Sequence, residues 1–257
     1  SIDMVKPKII IVTQARIGST RFPEKILQTI EDNTLLSIHL RRLKKSTLAN
    51  KIIVATTFEE KSYLIKDIAI KEGAFVFQGS INDVLDRFYQ AVKKENAQYI
   101  VRVTSDCPLI DASIVDQVIN MVIEKNLDYG SNTLIEDFPD GQDVEVIKFD
   151  ALEKAWKESK LTSEREHVTP YIRNNSTFFN KSLFRSDNFD APVSMNHIRM
   201  TVDEPVDLEA IRILVNELGI NASWEKYASY IENNTRLFKN QNITRNEGYL
   251  NSINKER

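Results

Sequence analysis

Cys107 is the single cysteine in a chain of 257 residues. One thiol excludes an internal disulfide framework and a cysteine-rich metal centre, and it suits a reducing compartment, so cytoplasm is the expected location. No apolar run approaches the roughly 20 residues that cross a bilayer, and no signal-peptide core opens the chain, so membrane insertion is not expected. Neither sign of charge dominates: 34 Lys and Arg face 37 Asp and Glu, for a net charge of -3. That balance excludes a general attraction to nucleic acid or anionic lipid, and any anion must be bound locally. Internal repeats and low-complexity tracts are absent as well. What remains, 42% hydrophobic and 28% charged residues, suffices for the core of one large domain or of a domain with a lobe.

Apolar runs at Ile9 to Val12, Lys51 to Thr56, Ala74 to Phe77 and Tyr99 to Val103 alternate with helical periodicity at Leu35 to Leu43, Ser62 to Lys71 and Val84 to Lys94. The alternation implies βαβ units and an α/β fold. Asp111 to Lys125 reads as an amphipathic helix capped by Asp111. Beyond Tyr129 the pattern loosens into a loop at Asn132 to Asp140, a short strand at Asp143 to Ile147 and a helix at Phe149 to Glu158. A strand at Ile198 to Val202 and a helix from Asp207 to Leu218, entered through Glu204-Pro205, restore it. The expected organisation is one domain over 1–257, with an inserted acceptor or dimerisation lobe at about 130–197 and a peripheral extension at about 234–257.

The densest signal is Ile9 to Lys25, IIIVTQARIGSTRFPEK. Four consecutive β-branched residues suit a parallel strand covered on both faces, which delivers the next loop to the ligand-collecting carboxyl edge of the sheet. That loop carries Arg16, Arg21 and Lys25 beside Gly18, Ser19 and Thr20, enough charge and free backbone NH to cradle a polyphosphate; a solvated surface loop is the plainer account. In RVTSDCPLID the strand ending at Val103 brings Ser105 and Asp106 to the same edge, where Asp106 could hold Mg²⁺ together with phosphate oxygens; an Asp serving as helix cap suits Asp111 better. RMTVDEPVDL repeats the arrangement, with Asp203 as a second carboxylate and Asp207 as a helix-terminal charge. Two acids at one edge call for a cation between them.

Gly79 and Ser80 could admit a base or ribose, or the segment could simply carry an Asp83–Arg87 ion pair one turn apart. DGQDVE and SEREHVTPYIR supply Gln142, Asp143, Glu145, Arg165, His167, Tyr171 and Arg173, a polar set suited to a polar acceptor. His167 could act as a base or satisfy a structural hydrogen bond, and His39, within an apolar helical pattern, reads as structural. Cys107 reads as a small buried hydrophobe.

Taken in order, QARIGSTRFPEK, TSDCPLID, DGQDVEV, REHVTPYIR and RMTVDEPVDL resemble the spore coat polysaccharide biosynthesis protein F family, and the resemblance runs to NEGYL at Asn246 to Leu250. That family is cytidylyltransferase-like and more distantly similar to the KDO and acylneuraminate cytidylyltransferases. The resemblance implies a Rossmann-like nucleotidyltransferase fold, a mixed and mostly parallel sheet flanked by helices with a smaller lobe, and a homodimer. It puts Arg16, Ser19, Arg21 and Lys25 on the CTP phosphates, with Ala15, Gly18, Thr20 and Ser105 alongside, and Asp106 and Asp203 on Mg²⁺. Gly79, Ser80 and Asp83 correspond to the segment near base and ribose. The implied reaction is transfer of CMP from CTP to an acidic sugar, phosphate or phosphonate, with release of pyrophosphate. A nucleotide-sugar-dependent glycosyltransferase and an inactive nucleotide-binding regulator are the competing readings, and the acceptor itself is not legible.

Overall fold

The first strand shows how the sequence builds the sheet. In the computed structural model, which describes residues 6–245 and 247–256, β1 (Ile9–Gln14) buries Ile9 and Ile11 against one helical layer and Ile10 and Val12 against the other. Two-sided burial is why the run does not alternate, and each such side chain contributes about 1.5–3 kcal/mol. Asn246, at the head of the NEGYL motif, lies outside the described residues.

A small hairpin, β2 (Thr29–Ile30) and β3 (Asn33–Thr34), leads into α1 (Leu35–Leu43), and β4 (Lys51–Thr56), α2 (Ser62–Lys71), β5 (Phe75–Gln78), α3 (Val84–Val92) and β6 (Tyr99–Thr104) follow. After α4 (Ala112–Glu124) come β7 (Tyr129–Ser131), β8 (Glu145–Lys148), α5 (Phe149–Glu158), α6 (Thr162–His167), α7 (Pro170–Asn174) and β9 (Ser186–Asn188). The chain ends with α8 (Pro205–Leu218), α9 (Trp224–Asn233) and α10 (Glu247–Glu256). Local chemistry sets the helix starts. Thr34, Asp83, Asp111 and Ser223 each accept a hydrogen bond from a first-turn amide, and Pro205 stands in the first turn of α8 behind Glu204.

The sheet has seven strands in the order β5-β4-β1-β6-β8-β7-β9. β4, β5 and β6 run parallel to β1, β8 pairs antiparallel with β6 and β7, and β9 is parallel to β7, so the sheet is mixed and mostly parallel. Helices α1, α4, α8 and α9 cover one face, and α3, α5 and α7 the other. Within 130–197, β7, β8 and β9 continue this sheet. Strand order reverses between β1 and β6, where loops from opposite sides leave a crevice at the carboxyl ends.

One expected strand is absent. Ile198 to Val202 forms a single bridge, Asp140 to Arg199, rather than a strand. The segment is extended, but it crosses the end of the sheet and bonds to loops: Met200 N donates to Asp140 O at 2.6 Å and Val202 N to Asp106 O at 2.8 Å. Gly141 makes the crossing possible. Its φ is +108°, and a Cβ there would lie 2.6 Å from the carbonyl carbon of Met200.

Candidate active site

The loop after β1 and the loop after β6 meet at the strand-order reversal. Phe22 N donates to Ser19 Oγ at 3.3 Å and Glu24 N to Ile17 O at 3.1 Å, which folds residues 17–24 back and starts a 3₁₀ turn at Lys25. Lys25 Nζ thereby reaches Asp203 Oδ1 at 3.2 Å and Asp106 Oδ2 at 4.0 Å. Arg21 lies 4.0 Å from Asp203 and from Glu204. Four residues named from sequence, Arg21, Lys25, Asp106 and Asp203, are therefore neighbours. Arg16 is turned aside, with both branches of its guanidinium on Glu59 at 3.1 and 3.2 Å. Gly18 accommodates that fork, since a Cβ there would stand 2.6 Å from Arg16 Nη2.

The two acids titrate as a pair. Burial opposes the charge on Asp106, yet Lys25 and the Thr104 hydroxyl hold its carboxyl below the usual range. Burial and the neighbouring charge of Asp106 push Asp203 up. Arg199 braces the outer side, donating to Asp207 at 2.9 Å from both Nε and Nη2 and lying 3.4 Å from Asp203. Among the described residues no group of three or more His, Cys, Asp and Glu is arranged as a metal cage. Two converging carboxylates are nevertheless the donor set Mg²⁺ takes when phosphate oxygens and water complete its shell.

Behind the acids a buried chain sets their geometry. His39 Nδ1 bonds Cys107 O at 2.8 Å, and its Nε2 meets Thr13 Oγ1 at 2.8 Å. The carbonyl accepts only, so Nδ1 carries the proton and Nε2 accepts from Thr13. Burial lowers the pKa of His39 to about 4, which keeps it neutral. Ser105, also buried, donates to Gln14 O at 2.7 Å and joins the two strand ends. Ala15 is buried too, so neither Ala15 nor Ser105 offers its side chain to a ligand. Burial pushes the Cys107 thiol well above its ordinary value, as befits an inert core thiol.

Thr104 bridges to a second compartment. Its hydroxyl donates to Asp106, and it also lines a cavity of about 370 Å³. Arg102 and Glu145 face each other there at 2.8 Å. Burial disfavours the Glu145 charge, but Arg102, Arg173 and hydroxyl donors from Thr169 and Tyr129 hold it ionised. Asp143, Arg245 and Glu136 form a further cluster, with Arg245 2.9 Å from Asp143 and 2.5 Å from Glu136. Burial raises Asp143 to about 6 and Asp140 to about 7. Arg173 donates from Nη2 to Thr133 O at 3.2 Å, while its buried Nε has no hydrogen-bond partner among the described residues. His167 also lines the cavity, with burial lowering its pKa and Nε2 3.0 Å from Ser252 Oγ.

Three residues of the expected acceptor set, Gln142, Arg165 and Tyr171, are not among those lining this cavity. Gln142 is fully buried, accepting from Asp111 N at 2.8 Å and donating to Leu109 O at 2.7 Å, so it braces the start of α4. Arg165 is held by Asp83 at 2.9 and 3.1 Å and by Trp156 O at 2.6 Å. Tyr171 donates to Glu158 and stands edge-on to Phe184. The Asp83–Arg87 ion pair is likewise replaced. Asp83 sits outside α3 as its cap, and the buried Arg87 donates to Ser80 O at 2.8 Å and Ile81 O at 3.0 Å. Gly79 leaves room for Arg87, whose Cγ would be 3.0 Å from an added Cβ. The sequence reading missed Arg102, Thr133, Glu136, Thr169, Arg245 and Tyr249. Arg102 had a signal, two positions before Thr104 on one strand and so on the same face, and Tyr249 stood within the NEGYL motif.

A family profile described as cytidylyltransferase matches residues 9–244. The spore coat polysaccharide biosynthesis protein SpsF of Bacillus subtilis is 32% identical over 217 residues, 82% of this chain and 88% of that one. A 3-deoxy-manno-octulosonate cytidylyltransferase of Solibacter usitatus is 28% identical over 249 residues, 90% and 95% of the two chains. The solved structure of a cytidylyltransferase from Leptospira borgpetersenii serovar Hardjo-bovis superposes with a TM-score of 0.86 at 33% identity, covering 93% of this chain and all of that one.

Proposed function

The chain belongs to the cytidylyltransferase family, CTP-dependent nucleotidyltransferases, and on that footing we propose that it moves CMP from CTP to an acidic acceptor of surface polysaccharide or glycoconjugate synthesis. One observation carries the reading: the cationic loop and the Asp106–Asp203 pair stand a single hydroxyl, that of Thr104, from a separate polar cavity. Such an arrangement suits two substrates reacting at a shared boundary.

An acceptor oxygen attacks the α-phosphorus, the bond from that phosphorus to the β-phosphate oxygen breaks, and pyrophosphate leaves with the electron pair. Little covalent chemistry falls to the protein; its work is alignment and charge neutralisation. Lys25 and Arg21 face the departing phosphates, and Arg16 joins them by exchanging Glu59 for phosphate. Gly79 and Ser80 lie toward the base. Mg²⁺ held by Asp106 and Asp203 would supply Lewis-acid neutralisation of the phosphate oxygens. Arg173, with donors to spare, anchors the acceptor's acidic group. An anionic nucleophile needs no strong base, so His167 orients rather than deprotonates.

The test incubates the protein with each nucleoside triphosphate, Mg²⁺ and a panel of sugar acids, phosphates and phosphonates while pyrophosphate is measured. Release with CTP and an acidic acceptor is the expected result. Consumption of a nucleotide sugar with release of a nucleoside diphosphate would instead establish a glycosyltransferase.

A further inference from the structure

The cavity's outer wall comes from a part of the chain that the family profile does not reach. The match stops at residue 244, yet Arg245, Tyr249 and Leu250 line the cavity. Arg245 enters first, donating to Phe138 O and Asp143 at 2.9 Å. Next, α10 lies across α6: the Tyr249 ring stands edge-on to His167 with centroids 5.1 Å apart. Ser252 meets His167 at 3.0 Å and donates to Glu166 at 3.1 Å, and Ser163 donates to Glu256 from its amide at 2.5 Å and its hydroxyl at 2.6 Å. Among the described residues none of this helix's side chains is buried; polar bonds at Ser252 and Glu256 tie it to α6, and Tyr249 and Leu250 form part of the cavity.

We infer that α10 is a strap that closes the acceptor cavity, with Arg245 and Tyr249 as positioning residues that decide which acceptor is held. The inference rests on the reading that this cavity takes the acceptor. Arg245 offsets Asp143 and Glu136, which would otherwise repel an anion, and Tyr249 holds the His167 side of the wall.

Two variants test it: Tyr249→Ala alters the wall, and Glu256→Ala loosens the strap at its far end, where the side chain bonds Ser163 rather than a cavity residue. The first readout is phenylglyoxal labelling of Arg102 and Arg173, mapped by mass spectrometry. Both variants should label at least fivefold faster than the parent chain, and equal rates overturn the strap. The second is steady-state kinetics with CTP and whichever acceptor releases pyrophosphate. KM for the acceptor should rise at least tenfold with KM for CTP changed less than twofold, and an equal rise in both overturns the positioning role. If the parent releases no pyrophosphate with any acceptor, the cytidylyl-transfer reading falls, and the labelling rates alone decide the strap.

Discussion

Lys25 and Asp203 are 178 positions apart in the chain and 3.2 Å apart in space. This ammonium lets two carboxylates share one strand edge, with Asp106 on its other side at 4.0 Å. Lys25→Met should therefore do two things. Losing an electrostatic donor to the leaving group should cost about 10²–10³ in kcat. Leaving the acid pair without its cation should destabilise the fold by about 1–3 kcal/mol, and added Mg²⁺ should restore part of that loss. Urea unfolding with and without Mg²⁺, alongside the pyrophosphate assay, measures both, and kcat within threefold of the parent would count against the assignment.

Asp106→Asn and Asp203→Asn should each abolish turnover, whereas His167→Ala should retain substantial activity. Normal turnover in both acid variants would sink the metal assignment, and total loss in the histidine variant would make His167 the base.

Acid should weaken the fold through His39. Its folded pKa of about 4 lies below the ordinary 6.5, so the folded state binds fewer protons than the unfolded state between those values. The stabilisation is fully present above pH 6.5 and is lost as pH falls toward 4; at about 1.4 kcal/mol per unit the whole loss is about 3 kcal/mol. A His39→Gln variant should start less stable at pH 7 and show a shallower acid slope in denaturant titrations. An unchanged slope refutes the prediction.

Arg102→Met strips Glu145 of its nearest cation while Tyr129 and Thr169 still donate to it. Breaking a buried pair from one side costs about 3–5 kcal/mol. Thermal melts should show a larger deficit at neutral pH, where the unpaired Glu145 carboxylate stays charged, than in acid, where protonation relieves it.

Gly141→Ala probes the backbone crossing. With φ at +108° and a new Cβ 2.6 Å from a backbone carbon, the variant should lose about 2–4 kcal/mol, read from its urea midpoint. A loss below 1 kcal/mol would mean that the crossing yields readily.

Much of this was legible because it is local. The strands β1, β4 and β6, the helices α1, α2 and α5, and the cap of Asp111 follow from periodicity and capping chemistry over a few residues. The convergence of Arg21, Lys25 and Asp106 was also accessible, since the buried parallel neighbours β1 and β6 deliver their loops to one edge, whereas Asp203 arrives on an extended segment bonded to loops. Arg245 carried no such sign and Tyr249 only its place in the NEGYL motif, because their role depends on where a peripheral helix lands. Gln142 and Arg165 misled for another reason: donors spent on backbone carbonyls look in sequence like donors offered to a ligand. The Ile198 to Val202 strand failed because its partners are loops, which periodicity does not register.

The bond from Val202 N to Asp106 O has a consequence for how such a chain can change. It sutures the two acid-bearing segments directly, so the spacing of Asp106 and Asp203 does not depend on the length of polypeptide between them. Exposed residues 192–194 can be lengthened or rebuilt while the carboxylates keep their distance.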